Sequence, residues 1–258
     1  MHDSPLFEDD LSEPGLVDAV GVQGPAAVPE RAVMCYFPEV IDALAGKPET
    51  EIAATMTSVY GGRHLYAVAR ENRRVALFRP GVGAPAAVSF MEEAIRLGCR
   101  AFVVVGGAGA LRPELGLGDI VLVESAVRDE GTSYHYLRPS RIVGADPGAL
   151  ATAEQVLRAD GVAYRRGRTW TTDAIYRETR SRVGRRIAEG CLTVEMEAAA
   201  LIAVSKFYQI PLAQLLYGGD SLAGDEWAHR SWLDASEVRK RLVDLAIAVA
   251  ARLDVGHG

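Results

Sequence analysis

Cysteine is scarce in this chain of 258 residues: Cys35, Cys99 and Cys191 are odd in number, far apart and without a CxxC pair. That pattern excludes a disulfide framework, and without clustered histidines it gives no zinc-ligand spacing, so neither a metal nor a cofactor is expected. Positive charge is also in deficit, with 28 Lys and Arg against 34 Asp and Glu and a net charge of -6. This balance offers no footprint for a polyanion, and the groups Arg165, Arg166, Arg168 and Arg182, Arg185, Arg186 read as solvated or interface faces. No apolar run approaches the roughly 20 residues of a membrane span, and the first residues are acidic where a secretion signal is basic. The expectation is a soluble, cytoplasmic protein that binds neither nucleic acid nor membrane.

What is present is apolar sequence enough for one large core: 49% of the residues are hydrophobic and 24% charged, as expected of a single domain. Residues 1 to 30 hold seven acidic residues and four prolines, a composition that reads as a tail, with Leu16-Val17 and Ala26-Ala27-Val28 as possible anchors. From Arg31 onward, strand-type runs near 32–36, 64–69, 74–79, 101–105, 119–127, 163–170 and 212–218 alternate with helix-type runs. The helices are expected near 39–46, 84–97, 147–160, 178–188, 195–208 and 234–252. That alternation predicts an α/β layered domain spanning 31–258. Phe102-Val103-Val104-Val105 has no polar alternation, as in a strand covered on both faces. Its glycine-rich end, Gly106-Gly107, is where open α/β sheets place ligands.

The stretch Thr193-Val194-Glu195-Met196-Glu197-Ala198-Ala199-Ala200 sets two carboxylates at the start of an apolar helix. Burying them is costly unless hydroxyls, cations or backbone donors compensate, and a sugar diol is one such compensation. Helix capping is the plainer reading of the same acids. With Gly81-Val82-Gly83-Ala84-Pro85, Gly106-Gly107-Ala108-Gly109, Gly118-Asp119-Ile120 and Gly218-Gly219-Asp220-Ser221, the stretch resembles the nucleoside phosphorylase and nucleosidase superfamily over about residues 32 to 253. That superfamily includes purine nucleoside phosphorylases, uridine phosphorylases and methylthioadenosine/S-adenosylhomocysteine nucleosidases, enzymes that cleave the N-glycosidic bond of nucleosides.

The resemblance implies a single-domain, three-layer α/β/α fold with a central mixed sheet, and a homo-oligomer, a dimer or trimer of dimers. It implies that Glu197 accepts the ribose hydroxyls, with Met196 against the sugar and Glu195 beside it, and that Asp220 protonates N7 of a departing purine. A turn residue is the structural alternative for Asp220.

The phosphate motifs of the phosphorylases are missing. Cys35-Tyr36-Phe37-Pro38-Glu39-Val40 stands where they carry Gly-Asp-Pro-x-Arg, Val104 where they carry arginine, and Gly107 where they often carry Ser or Thr. At these three places Glu39, Val104 and Gly107 supply no side-chain donor that would offset desolvation of a phosphate. The expected reaction is therefore hydrolysis, with water activated by Glu39, which falls on the glutamate of the nucleosidase branch; Glu39 is equally placed to be a first-turn helix acid after Pro38. Phosphorolysis is the alternative, with phosphate as co-substrate held by Arg63, Arg79 or another subunit's arginine. A third possibility is a nucleoside sensor without turnover. By the same resemblance Trp170, Ile175 and Tyr176 lie along the base pocket, although buried aromatics are more often core. His135 is placed to reach the ribose 5' end.

Overall fold

Residues 4–8, 10–17, 28–59 and 61–255 are described by a computed structural model of the protein. The chain forms β1 (Arg31–Cys35), α1 (Pro38–Ala45), β2 (Glu51–Ser58), β3 (Gly61–Arg70), β4 (Arg73–Phe78), α2 (Ala84–Leu97), β5 (Ala101–Ala110) and β6 (Ile120–Asp129). It continues through β7 (Ile142–Gly144), α3 (Pro147–Ala159), β8 (Tyr164–Thr172), α4 (Arg180–Ala188), β9 (Cys191–Glu195), α5 (Ala198–Phe207), β10 (Leu212–Ser221) and α6 (Ser236–Arg252). One mixed sheet runs through all ten strands, as expected of an α/β fold.

Strand β5 organises the sheet because its apolar run is fully buried. It pairs in parallel with β1 and β10 and, at Gly109 and Ala110, antiparallel with β9. Since β10 also pairs with β6, β6 with β8, and β8 with β9, five strands close into a ring. Strands β1, β4, β3 and β2 extend from that ring as an open sheet. Helix α6 packs on β1, β4, β5 and β10 together with α1 and α3, while α2 and α5 pack on each other. Among the described residues, no helix is long and apolar enough to cross a membrane.

The seven expected strands are present, and β2, β7 and β9 are additional. β9 changes the reading of the Glu195 region. The helix expected from 195 begins at Ala198, because Thr193, Val194 and Glu195 continue a strand laid parallel to β8. Of the expected tail anchors, Leu16 and Val17 are exposed, Ala26-Ala27 lie outside the described residues, and Val28 packs partly on the core. Pro5–Phe7 instead forms a turn of 3-10 helix whose Phe7 ring meets Tyr134 edge-on at 5.6 Å. Arg186 departs from the solvated face expected of its group. It is buried over the Trp170 ring and ion-paired with Asp129 and Glu189.

Candidate functional site

Five chain segments meet at the C-terminal ends of β1, β4, β5, β9 and β10. Glycine makes the meeting close. A Cβ on Gly107 would stand 3.1 Å from the Tyr217 ring, and one on Gly109 would collide with Leu222 at 2.7 Å and Val194 at 2.9 Å. Such contacts bring β9 and β10 against the end of β5.

At the β9–α5 junction, Glu195 and Glu197 are each only 7% exposed, but their surroundings differ. Glu195 Oε1 accepts the Thr171 hydroxyl at 2.6 Å, and its Oε2 accepts the backbone N–H groups of Glu197 at 2.8 Å and Ala198 at 2.6 Å. The Thr171 oxygen in turn accepts the N–H of Ala199 at 2.9 Å. Together they satisfy the first free N–H groups of α5, so Glu195 acts as the helix cap that the plainer sequence reading allowed. Glu197 caps nothing with its side chain. Its Oε1 accepts the N–H of Gly83 at 2.6 Å, and no cation faces it among the ion pairs of the described residues. Burial raises both carboxyls above the ordinary range, and the charge of Glu195 raises Glu197 further. The donors gathered on Glu195 favour its ionised form, which leaves Glu197 as the group pushed up. Met196 lies half-buried between them.

Asp220, near the end of β10, has Oδ1 3.5 Å from the place of a Cβ on Gly109 and accepts the Trp227 indole N–H on Oδ2 at 2.6 Å. Ser221 and Ala228 exchange backbone hydrogen bonds at 2.9 Å, which folds residues 222–227 back over the strand and delivers Trp227. Behind it lies a cavity of about 440 Å³ lined by Glu178, Val183, Ile187, Leu222 and Trp227. Neither Glu197 nor Asp220 lines this space; it adjoins Asp220 only through Leu222 and Trp227. Glu178 is half-buried there, and burial followed by the Asp220 charge pushes it up to about 7. Glu178 is not singled out in the sequence, because its spacing carries no signal of its own.

The β1–α1 junction is built differently. Pro38 and Glu39 open α1, with Glu39 in the first turn as expected. Its side chain is 43% exposed and pairs with Arg239 of α6 at 2.9 Å. Arg239 also donates to the Tyr217 hydroxyl at 3.1 Å and to the Trp232 carbonyl at 2.9 Å. A carboxylate whose oxygen is already engaged by a guanidinium is a poorer base, and this weakens the water-activating role expected of Glu39. Arg239 lies 200 residues away in sequence, so no local pattern marks the pair. Beside them, Arg79 follows β4 on the sheet edge, where its charge is felt by Cys35 and Arg63. Arg63 donates to the carbonyls of Arg79 at 3.2 Å and Pro80 at 2.8 Å. Val104 is buried.

The remaining candidates lie apart from this meeting point. Trp170 is fully buried with Leu111, Val127, Val183, Cys191 and Val194, and spends its indole N–H on Asp129 at 3.0 Å. It is a core residue rather than a cavity wall, because strand alternation turns it inward beside Val194. Ile175 and Tyr176 occupy an exposed turn of 3-10 helix, with Tyr176 97% exposed, and His135 ends another at the surface.

The chain is similar to several enzymes of one kind. It is 28% identical over 170 residues to a guanosine phosphorylase of Halorubrum lacusprofundi, covering 66% of this chain and 70% of that protein. To a uridine phosphorylase of Thermococcus kodakarensis it is 32% identical over 102 residues, 40% of this chain and only 37% of the relative. A DeoD-type purine nucleoside phosphorylase of Exiguobacterium is 25% identical over 210 residues, 78% of this chain and 82% of the relative. Among solved structures, the purine nucleoside phosphorylase of Toxoplasma gondii in complex with immucillin-H superposes with a TM-score of 0.76 at 17% identity, covering 87% of this chain and 91% of that one. A uridine phosphorylase of Vibrio fischeri gives 0.74 at 20% identity, covering 88% and 93%. These two likenesses establish the fold. The phosphorylase superfamily model matches residues 30–253, nearly the whole of the chain, which therefore belongs to the phosphorylase superfamily.

Proposed function

We propose that the protein cleaves the N-glycosidic bond of a purine-type nucleoside, and that phosphate is the attacking group. The observation that carries this reading is Glu197, a buried carboxylate approached by backbone N–H groups alone, with no ion pair to a cation among the described residues. Such a group is costly in the empty protein and is stabilised by a ligand that brings donors, as the two hydroxyls of a ribose do. Held there, the sugar tolerates positive charge at C1' as its bond to the base stretches. Asp220 supplies the proton. Its Oδ2 is fixed by Trp227, and its other oxygen is left for N7 of the base. As a phosphate oxygen bonds to C1', the C1'–N bond breaks, the electron pair stays with the base and the base takes the proton; the products are free base and ribose 1-phosphate.

Phosphorolysis is preferred to hydrolysis on two grounds. The relatives are phosphorylases, and Arg63 and Arg79 stand together at the edge of the site while Glu39 is held by Arg239. Hydrolysis remains the second reading, favoured by the absence of side-chain donors at Val104 and Gly107. Base release from adenosine, inosine, guanosine and uridine, with and without phosphate and with the sugar product identified, separates the two. Free ribose formed at the same rate in phosphate-free buffer would establish the hydrolase, and failure to cleave any of the four would remove both readings.

A further inference from the structure

Tyr36 is the first residue beyond β1, and its placement is firmly set. Its backbone N–H donates to the Val105 carbonyl at 3.1 Å, continuing the ladder to β5, and its ring lies beside Gly106, where a Cβ would be 3.5 Å from Tyr36 Cδ2. The phenol oxygen is buried and makes no hydrogen bond among the described residues. Its charged neighbours are Glu197 first and then Glu195, which with burial hold the hydroxyl far from ionisation. It is therefore an O–H donor at any ordinary pH.

Neither carboxylate takes that hydrogen. Both oxygens of Glu195 are occupied by Thr171 and by the amides of α5, and Glu197, whose Oε1 accepts from Gly83, is not bonded to the Tyr36 oxygen. A buried hydroxyl without a partner is destabilising, a cost that phenylalanine would avoid in the same space. A donor within the field of a carboxylate, but not bonded to it, matches what a sugar hydroxyl needs, since that hydroxyl can give its own hydrogen to the carboxylate while accepting another. Val104 and Gly107 carry no polar side chain to do this, and Asp220 belongs to the other end of the site.

We propose that Tyr36 is a sugar-binding residue whose O–H donates to the oxygen of the ribose hydroxyl whose proton Glu197 accepts. This rests on the reading of Glu197 given above. It also gives the chain a sugar contact at a position where its relatives' phosphate motif would stand.

Tyr36→Phe tests it in two ways. In the ligand-free protein, removing an unpartnered hydroxyl raises Tm, by about 2 °C for a chain of this size; an unchanged or lower Tm would show that the hydroxyl is already satisfied and would overturn the proposal. The second test uses whichever of adenosine, inosine or uridine the wild type cleaves fastest, with its 2'-deoxy and 3'-deoxy forms. The variant is expected to lose about tenfold in kcat/KM on the ribonucleoside, and this loss disappears on the deoxy form that lacks the contacted hydroxyl. Equal losses on all three compounds, or no loss on any, would overturn it while leaving the cleavage reading intact. Calorimetric binding of the same compounds gives the same contrast without turnover. A wild type that neither binds nor cleaves them would take down the Glu197 reading and Tyr36 with it.

Discussion

Two strand-to-helix junctions on the same edge of the sheet each carry an acid, and they treat it in opposite ways. At β1–α1, Glu39 sits in the first helical turn after Pro38, partly exposed and paired with Arg239. At β9–α5, Glu197 is buried and has no ion pair among the described residues, while its neighbour Glu195 takes the capping duty. An exposed, paired carboxylate already has its compensation and contributes little. A buried, unpaired one keeps its interaction energy in reserve for a ligand. The same residue type in the same local setting is thus ordinary at one junction and consequential at the other.

The comparison can be broken by removing each acid in turn. The largest effect is expected from Glu197→Gln, which should lower kcat/KM on a ribonucleoside by about a hundredfold or more; activity within a fewfold of the wild type would remove the distinction altogether. Next comes Asp220→Asn, expected to cost about a hundredfold on purine nucleosides and much less on a nucleoside whose base leaves without protonation. Equal losses on both would make Asp220 a structural turn residue. Glu195→Gln is expected to act on stability, because the amide presents one oxygen where two accept three donors. A loss of about 1–3 kcal/mol should be visible in denaturant midpoints, and a fully stable variant would contradict the capping assignment.

Smaller effects sharpen the picture. Glu178, pushed up to about 7 by burial and by Asp220, should give the base-release rate an inflection near pH 7 that Glu178→Gln removes. Superimposable profiles would show that its charge does not reach the reacting base. Glu39→Gln is expected to change turnover by no more than a fewfold. A loss of a hundredfold or more, in phosphate-free buffer, would restore Glu39 as the water-activating base.

Much of the Glu197 side of the site was legible in the sequence, because the acids sit in an apolar context where any charge stands out, and Gly106 to Gly109 end an uninterrupted buried strand. The cap was harder to see, since it depends on β9, five residues long, which a helix pattern running through Glu195 conceals. Thr171 reaches the junction through the pairing of β8 with β9, and Gly83 through the connection between β4 and α2. On the other side, Arg239 meets Glu39 across 200 residues of sequence, and Tyr36 differs from any surface tyrosine only by burial. Trp170 shows the reverse error: an aromatic in a motif-bearing strand, turned into the core by the alternation of the strand.

The most direct test of the account is the melting temperature of ligand-free Glu197→Gln against wild type as a function of pH. A carboxyl whose folded value lies above its unfolded value favours the protonated chain. The ionised group therefore destabilises the fold above the raised value, and this penalty fades as pH falls toward the ordinary carboxyl range. Burial and the charge of Glu195 both raise Glu197. The variant, nearly inactive, is expected to melt higher than wild type at pH 8 to 9, with the gain shrinking toward pH 5. A variant that melts lower than wild type across this range would show that Glu197 holds the fold together and is not a charge kept in reserve for a sugar.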